Sequence, residues 1–199
     1  MDTAGCGSVS DSVRGYPLRA FVICLIAYTT AQMDLALFGY AVPAIRAEFG
    51  LTLSEVMAIV SSAFLLGGAL LVVLGWLADR MGRLPLFQFS LLGSSCLVAL
   101  ISIASGVATL TALRGASIAV GGLSYPITGA IITEEMPARL RGLFMGLLQI
   151  GYPLGWALAS LWSMWLLTEY GWRQLFWVGL VSLPMVWVVR RYLREPPRS

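Results

Sequence analysis

Histidine and lysine are both missing from the 199 residues, so all 13 basic side chains are arginine. Without imidazole there is no His-ligated haem, no HExxH zinc site and no His-based nucleophile triad. Without a lysine amine there is no retinal-type Schiff base. The three cysteines (Cys6, Cys24, Cys96) are odd in number and have no CxxC spacing, which excludes a disulfide framework and a thiolate metal cluster. Cys24 and Cys96 lie in apolar runs and are expected as buried thiols. No metal, no cofactor and no enzymatic chemistry are expected. Charge is scarce too. Charged residues are 12% of the chain, hydrophobic ones 58%, and the mean hydropathy is +0.83. A soluble domain carries about a quarter charged residues. These charges cannot coat a water-facing surface, so the expectation is a polytopic membrane protein in a lipid bilayer. A net charge of +3 and a pI near 9.0 then reflect arginines in loops that set orientation, not contact with nucleic acid.

What is present is a series of apolar segments. Helices are expected at Leu18–Val42, Leu53–Leu77, Leu84–Ser105, Val107–Thr133, Arg141–Leu167 and Trp172–Tyr192. Each is long enough to cross a bilayer. The runs do not alternate apolar and polar residues, so spanning helices are expected rather than barrel strands. Residues 1–17 are polar and read as a disordered cytoplasmic tail without signal-peptide character. Residues 18–192 form the six-helix domain, and 193–199 a cytoplasmic C-terminal end. The arginines divide unevenly. Ten lie in one set of connections: Arg14, Arg19, Arg80, Arg83, Arg139, Arg141, Arg190, Arg191, Arg194 and Arg198. Only Arg46 and Arg173 lie in the opposite set. That bias places both termini in the cytoplasm and requires an even number of spans.

Two charges sit inside apolar helices. Asp34 falls about eight residues from the outer end of the first helix, ~12 Å deep. Arg114 falls about seven residues into the fourth, ~10 Å deep. A carboxylate at such depth costs roughly 2.5–3.5 kcal/mol on insertion scales. Asp34 and Arg114 are therefore candidates for a substrate or proton pathway, facing one interior cavity. Gly151 and Gly155 form a GxxxG pair in the fifth helix, with Gly115 and Ala119 spaced likewise in the fourth; such pairs let helices approach closely. Trp165 and Trp172 flank the outer connection between helices five and six and read as interface anchors.

The stretch GWLADRMGR between helices two and three supplies Gly75, Asp79, Arg80, Gly82 and Arg83. Here Gly75 would allow a close helix contact and Gly82 a tight turn. It resembles the G-x-x-x-D-R-x-G-R-R/K loop of the major facilitator superfamily, with Leu84 in place of the next basic residue. EEMPARLRG resembles that family's later loop E-x-x-P-x-x-x-R-G through Glu134, Pro137, Arg141 and Gly142. DLALFGYAVPAIRAEFGL (Asp34–Leu51) and LRGASIAVGGLSYP (Leu113–Pro126) are similar to the first and fourth helices of its proton-coupled metabolite and organic-acid symporters, including sialic acid and aromatic acid carriers. Ile118, Val120 and Ser124 depart from that pattern. Gly142, Gly151 and Gly155 fit the fifth-helix spacing of drug–proton antiporters, but Trp156, Ala159 and Ser160 replace its proline and last glycines.

The resemblance implies an all-α membrane protein of six transmembrane helices built as two inverted three-helix repeats, one half of a major facilitator fold. It implies secondary transport, with proton-coupled uptake of a small organic or metabolite anion across a bacterial inner (plasma) membrane. Glu134 and Arg141 would join Gly75, Asp79, Arg80, Gly82 and Arg83 in a cytoplasmic gating loop. The chain is expected to be a truncated or half-length carrier that pairs with a second six-helix half or with itself as a homodimer. The alternative is a non-transporting membrane scaffold or partner subunit derived from a carrier half.

Overall fold

The computed structural model describes residues 15–81 and 83–192, and side chains outside 78–83. Six helical units follow one another: α1 Tyr16–Phe49, α2 Leu53–Met81, α3 Arg83–Ile101, α4 Val107–Glu135, α5 Arg141–Glu169 and α6 Trp172–Tyr192. Each contains a stretch long and apolar enough to cross a membrane. The starts of α1, α3 and α5 lie on one side of the bundle, here the near side, and their ends on the far side.

α1 is longer than expected at both ends. It begins at Tyr16, with Pro17 in its first turn, and runs through Pro43 to Phe49. Pro43 removes one N–H from the ladder. The carbonyl left unpaired belongs to Gly39, which is exposed. The added far-side turns are held by Ile45, which is buried in the core. Gly50 then stops the helix with φ 64°, a left-handed conformation that only glycine adopts freely. Leu51 N–H returns to the Arg46 carbonyl at 3.1 Å. Two residues later Thr52 and Glu55 cap α2 reciprocally, with Thr52 N–H to Glu55 Oε2 at 2.8 Å and Glu55 N–H to Thr52 Oγ1 at 3.3 Å. The α1–α2 turn is thus fixed by local chemistry.

Three of the helices are interrupted. α4 turns at Leu123, between Val107–Gly122 and Ser124–Glu135, and α5 at Gln149–Ile150, between Arg141–Leu148 and Gly151–Glu169. α6 carries a 3₁₀ stretch at Phe176–Ser182. A proline follows each break closely (Pro126, Pro153, Pro184) and withholds a donor from it.

The two most extensive helix interfaces are α1 on α5 and α2 on α4. Exchanging the first three helices with the last three turns one into the other, the relation expected of two inverted three-helix repeats. Both interfaces use glycine. A Cβ at Gly155 would lie 2.6 Å from the Thr29 carbonyl oxygen and 2.8 Å from Met33 N; one at Gly67 would lie 2.9 Å from the Gly115 oxygen. The core falls into two apolar clusters. The near-side one includes Phe21, Cys24, Phe87, Leu91, Leu123 and Ile131. The far-side one includes Leu37, Phe38, Ile101, Leu110, Trp172 and Phe176. Between them, at the level of Tyr28–Leu35, runs a belt of polar side chains.

Candidate functional site

The belt is supported on α1, an uninterrupted helix that crosses it. Asp34 lies near the middle of α1, deeper than expected because the helix continues to Phe49. It is buried, and its carboxylate points toward α3 and α6. Ser182 donates its hydroxyl to Asp34 Oδ2 at 2.9 Å, and Oδ1 lies beside Gly179, whose missing side chain makes room for Val98 of α3. Arg114 is buried as well. Its Nη2 donates to the Leu35 carbonyl at 2.8 Å and its guanidinium stacks on Phe38, 4.5 Å from the ring centroid. The structure thus brings both charges to adjacent residues of α1 but does not join them. No ion pair forms between them among the described residues, and the carboxylate sits about 100–160° around α1 from Leu35, Gly39 and Gln32 on the more open side.

That more open side, facing α4 and α5, carries a second set of groups. The Tyr28 hydroxyl donates to Gln149 Oε1 at 3.2 Å, and Gln149 Nε2 donates to the Tyr125 hydroxyl oxygen at 3.1 Å. One amide thereby ties α1 to the broken regions of α4 and α5. The rings of Tyr28 and Tyr125 are 5.6 Å apart, and Trp156 packs between Tyr152 and Tyr40 at 5.7 and 6.3 Å. Tyr125 and Tyr152 remain exposed. Among the described residues, four buried polar side-chain atoms have no partner: Gln32 Oε1, Asp34 Oδ1, Arg114 Nη1 and Trp156 Nε1. Each unmet group costs about 1–3 kcal/mol, and such groups gather where a ligand, ion or water completes them. Gln32, Gln149, Tyr28 and Tyr125 were missed by sequence reasoning. The available signal was two amides inside apolar runs, with Tyr28 and Gln32 one turn apart on one helix face.

The remaining expected residues lie away from this belt. Gly75 has open space where a Cβ would stand, so the close helix contact expected there is not made among the described residues. Asp79, Arg80, Gly82 and Arg83 fall outside the described positions or side chains. Glu134 is exposed at the near-side end of α4, and Arg141 Nε donates to the Met136 carbonyl at 3.1 Å, closing the α4–α5 loop. Gly151 sits where a Cβ would meet the Tyr28 ring at 2.8 Å. Trp172 is not an interface anchor. It is buried and donates Nε1 to Glu48 Oε2 at 2.5 Å, while Arg173 pairs with the same carboxylate and also bonds the Ala104 carbonyl at 3.2 Å. This clamp joins the far-side ends of α1, α3 and α6. Cys24 is buried, whereas Cys96 is exposed on α3.

The chain is similar to known proteins in sequence and in fold. The chain is 31% identical to the cis,cis-muconate transport protein of Acinetobacter baylyi over 180 residues, covering 89% of this chain and 43% of that protein. It is 28% identical to the 4-hydroxybenzoate transporter PcaK of the same organism over 160 residues, covering 79% and 35%. In structure it resembles a bacterial homolog of the human lysosomal transporter Spinster in an inward-facing, unoccupied conformation. The TM-score there is 0.78 at 18% identity, over 94% of this chain and 45% of the other. The chain therefore spans less than half the length of the relatives it matches. The sequence pattern of the Major Facilitator Superfamily covers residues 24–199, and with six membrane-spanning helices in two repeats the chain belongs to that superfamily as a multi-pass integral membrane protein.

Proposed function

We propose that this chain supplies one of the two rocking six-helix bodies of a secondary carrier for small organic anions, with the solute held on the α1/α4/α5 face of the polar belt. Arg114 carries the reading. A guanidinium buried at mid-membrane, with no carboxylate bonded to it and Nη1 unpartnered, is a site for an anion, because an uncompensated buried charge is expensive. The aromatic rings and amides of the same face suit a flat, unsaturated acid. Two relatives are described as transporting cis,cis-muconate and 4-hydroxybenzoate, both small organic acids. Asp34, its Oδ1 unpartnered on the α3/α6 side, is the proposed carrier of a coupling proton. Alternating access takes a second six-helix body, either another half or a second copy of this chain. The arginine distribution supports cytoplasmic termini in a bacterial inner membrane.

The test is equilibrium binding of radiolabelled cis,cis-muconate and 4-hydroxybenzoate to the full chain in lipid nanodiscs. Saturable binding that weakens at least tenfold in Arg114→Gln is expected. Absence of binding by either acid, or binding indifferent to Arg114→Gln, would overturn the proposal and leave the non-transporting partner as the better reading.

A further inference from the structure

An anion satisfies Arg114 but not the whole belt. Gln32 Oε1 is a buried acceptor without a donor, and a carboxylate has no proton to offer it. Trp156 Nε1, on the facing helix, is a buried donor without an acceptor. Trp156 directly follows Gly155, where an added Cβ would be 2.7 Å from Gln32 Cβ, so the two residues stand on facing helices at one close contact. The other amide of the belt differs. Gln149 accepts from Tyr28 at Oε1 and donates to Tyr125 from Nε2, so both ends of its amide already stiffen the wall, whereas Gln32 Oε1 has no partner at all. Gln32 is held at its root by the close approach of Gly155, and its carbonyl oxygen is left over. A hydroxyl is the group that matches this vacancy, since its proton goes to an acceptor and its lone pairs to a donor.

We propose that Gln32 is a specificity-determining residue that selects organic anions carrying a hydroxyl, its Oε1 accepting that hydroxyl's proton while Trp156 Nε1 donates to a ligand oxygen. This rests on the proposed binding of organic anions to the same face. Hydroxy-substituted acids are then the preferred class, because a site built to hydrogen-bond a hydroxyl rejects the analogue that lacks it more strongly than an apolar pocket rejects a size change.

The experiment measures binding of three acids to the full chain in nanodiscs: 4-hydroxybenzoate, 4-methoxybenzoate and benzoate. The methoxy analogue keeps the oxygen and loses only the proton. Wild type should bind the hydroxy acid about tenfold or more tightly than either other acid. In Gln32→Met the three affinities should converge within about threefold. Gln32→Asn, a milder change that draws the carbonyl back by one methylene, should narrow the ratio in the same direction if Gln32→Met does not fold. A ratio near one in wild type, or a ratio unchanged in the variants, would overturn the role of Gln32 while leaving organic-anion binding intact. Failure of wild type to bind any acid, the muconate probe included, would overturn the anion-binding reading itself, and this inference with it.

Discussion

Replacing Gly155 with alanine tests how the belt is assembled, because the added methyl meets backbone rather than flexible side chain. The Cβ would stand 2.6 Å from the Thr29 carbonyl oxygen, 2.7 Å from Gln32 Cβ and 2.8 Å from Met33 N. Ordinary van der Waals contact begins near 3.4 Å. Neither the Thr29 oxygen nor the Met33 nitrogen can rotate away, so α1 and α5 must move apart by roughly 0.6–0.8 Å, the shortfall of those contacts. Overpacking of this kind costs about 1–3 kcal/mol, and Gly155 should fall at the upper end because the loss propagates along an interface that also holds Tyr28, Tyr40 and Trp156. Gly151→Ala should cost less. Its methyl meets the Tyr28 ring at 2.8 Å and the Thr29 hydroxyl at 3.0 Å, both of which can shift. Gly68→Ala meets nothing within 4 Å and should be neutral or stabilising by up to ~1 kcal/mol, the helix-propensity gain of alanine. The assay is thermal unfolding of the three variants in one detergent, followed by intrinsic tryptophan fluorescence. Stability should rank Gly68→Ala above Gly151→Ala above Gly155→Ala. If Gly155→Ala melts with Gly68→Ala, the α1–α5 contact is not the close packing described.

The two buried charges make no bond to each other, so Asp34→Asn and Arg114→Gln should alter thermal stability additively, within about 0.5 kcal/mol; a double variant clearly more stable than that sum would reveal an ion pair. At the far-side clamp, Glu48→Gln should cost about 1 kcal/mol or less, because Glu48 and Arg173 are each about two-fifths exposed; raising the salt concentration should narrow the gap from wild type in the same melting assay. A cysteine placed at Ser199 should resist membrane-impermeant thiol reagents in intact cells and react after permeabilisation; prompt labelling from outside would reverse the orientation read from the arginines. Uptake into liposomes by a crosslinking-verified monomer should be absent, since one body cannot seal both sides of the membrane in turn; saturable uptake by such a monomer would show that six helices suffice.

Most of the fold was legible because a bilayer leaves few options. Apolar runs of sufficient length must be helices, and the expected starts at Leu53, Val107, Arg141 and Trp172 are the observed ones. The end of α1 was not legible. Pro43, Arg46 and Glu48 look like a loop, yet Ile45 packs in the far-side core and Glu48 is taken up by Trp172 and Arg173, more than 120 residues away. Asp34 and Arg114 stood out as charges in apolar helices. The side each faces did not, because Ser182, which fixes Asp34, is 148 residues distant. Gln32 and Gln149 carry no charge, and Tyr28 and Tyr125 are ordinary residues in a membrane helix. Only the meeting of three helices turns them into a site.

The breaks in α4, α5 and α6 gain meaning from their partners. Backbone released from a helix is tolerated at membrane depth only where protein or a cavity satisfies it. At each break a belt side chain is engaged: Tyr125 beside the break of α4, Gln149 at that of α5, and Ser182 at the end of the 3₁₀ stretch of α6. Two of these side chains bond to α1, Gln149 to Tyr28 and Ser182 to Asp34, and Tyr125 is reached through Gln149. α1 therefore acts as the fixed post against which three weakened helices are held. Ser182 shows what such a post can transmit. Its hydroxyl lies 2.9 Å from Asp34 Oδ2 and 2.8 Å from the Gly179 carbonyl, and it has one proton for two acceptors. Removing the carboxylate's claim on that proton returns it to the 3₁₀ backbone. A change at Asp34 is thereby felt first in α6, on the opposite side of α1 from the face proposed to hold the solute.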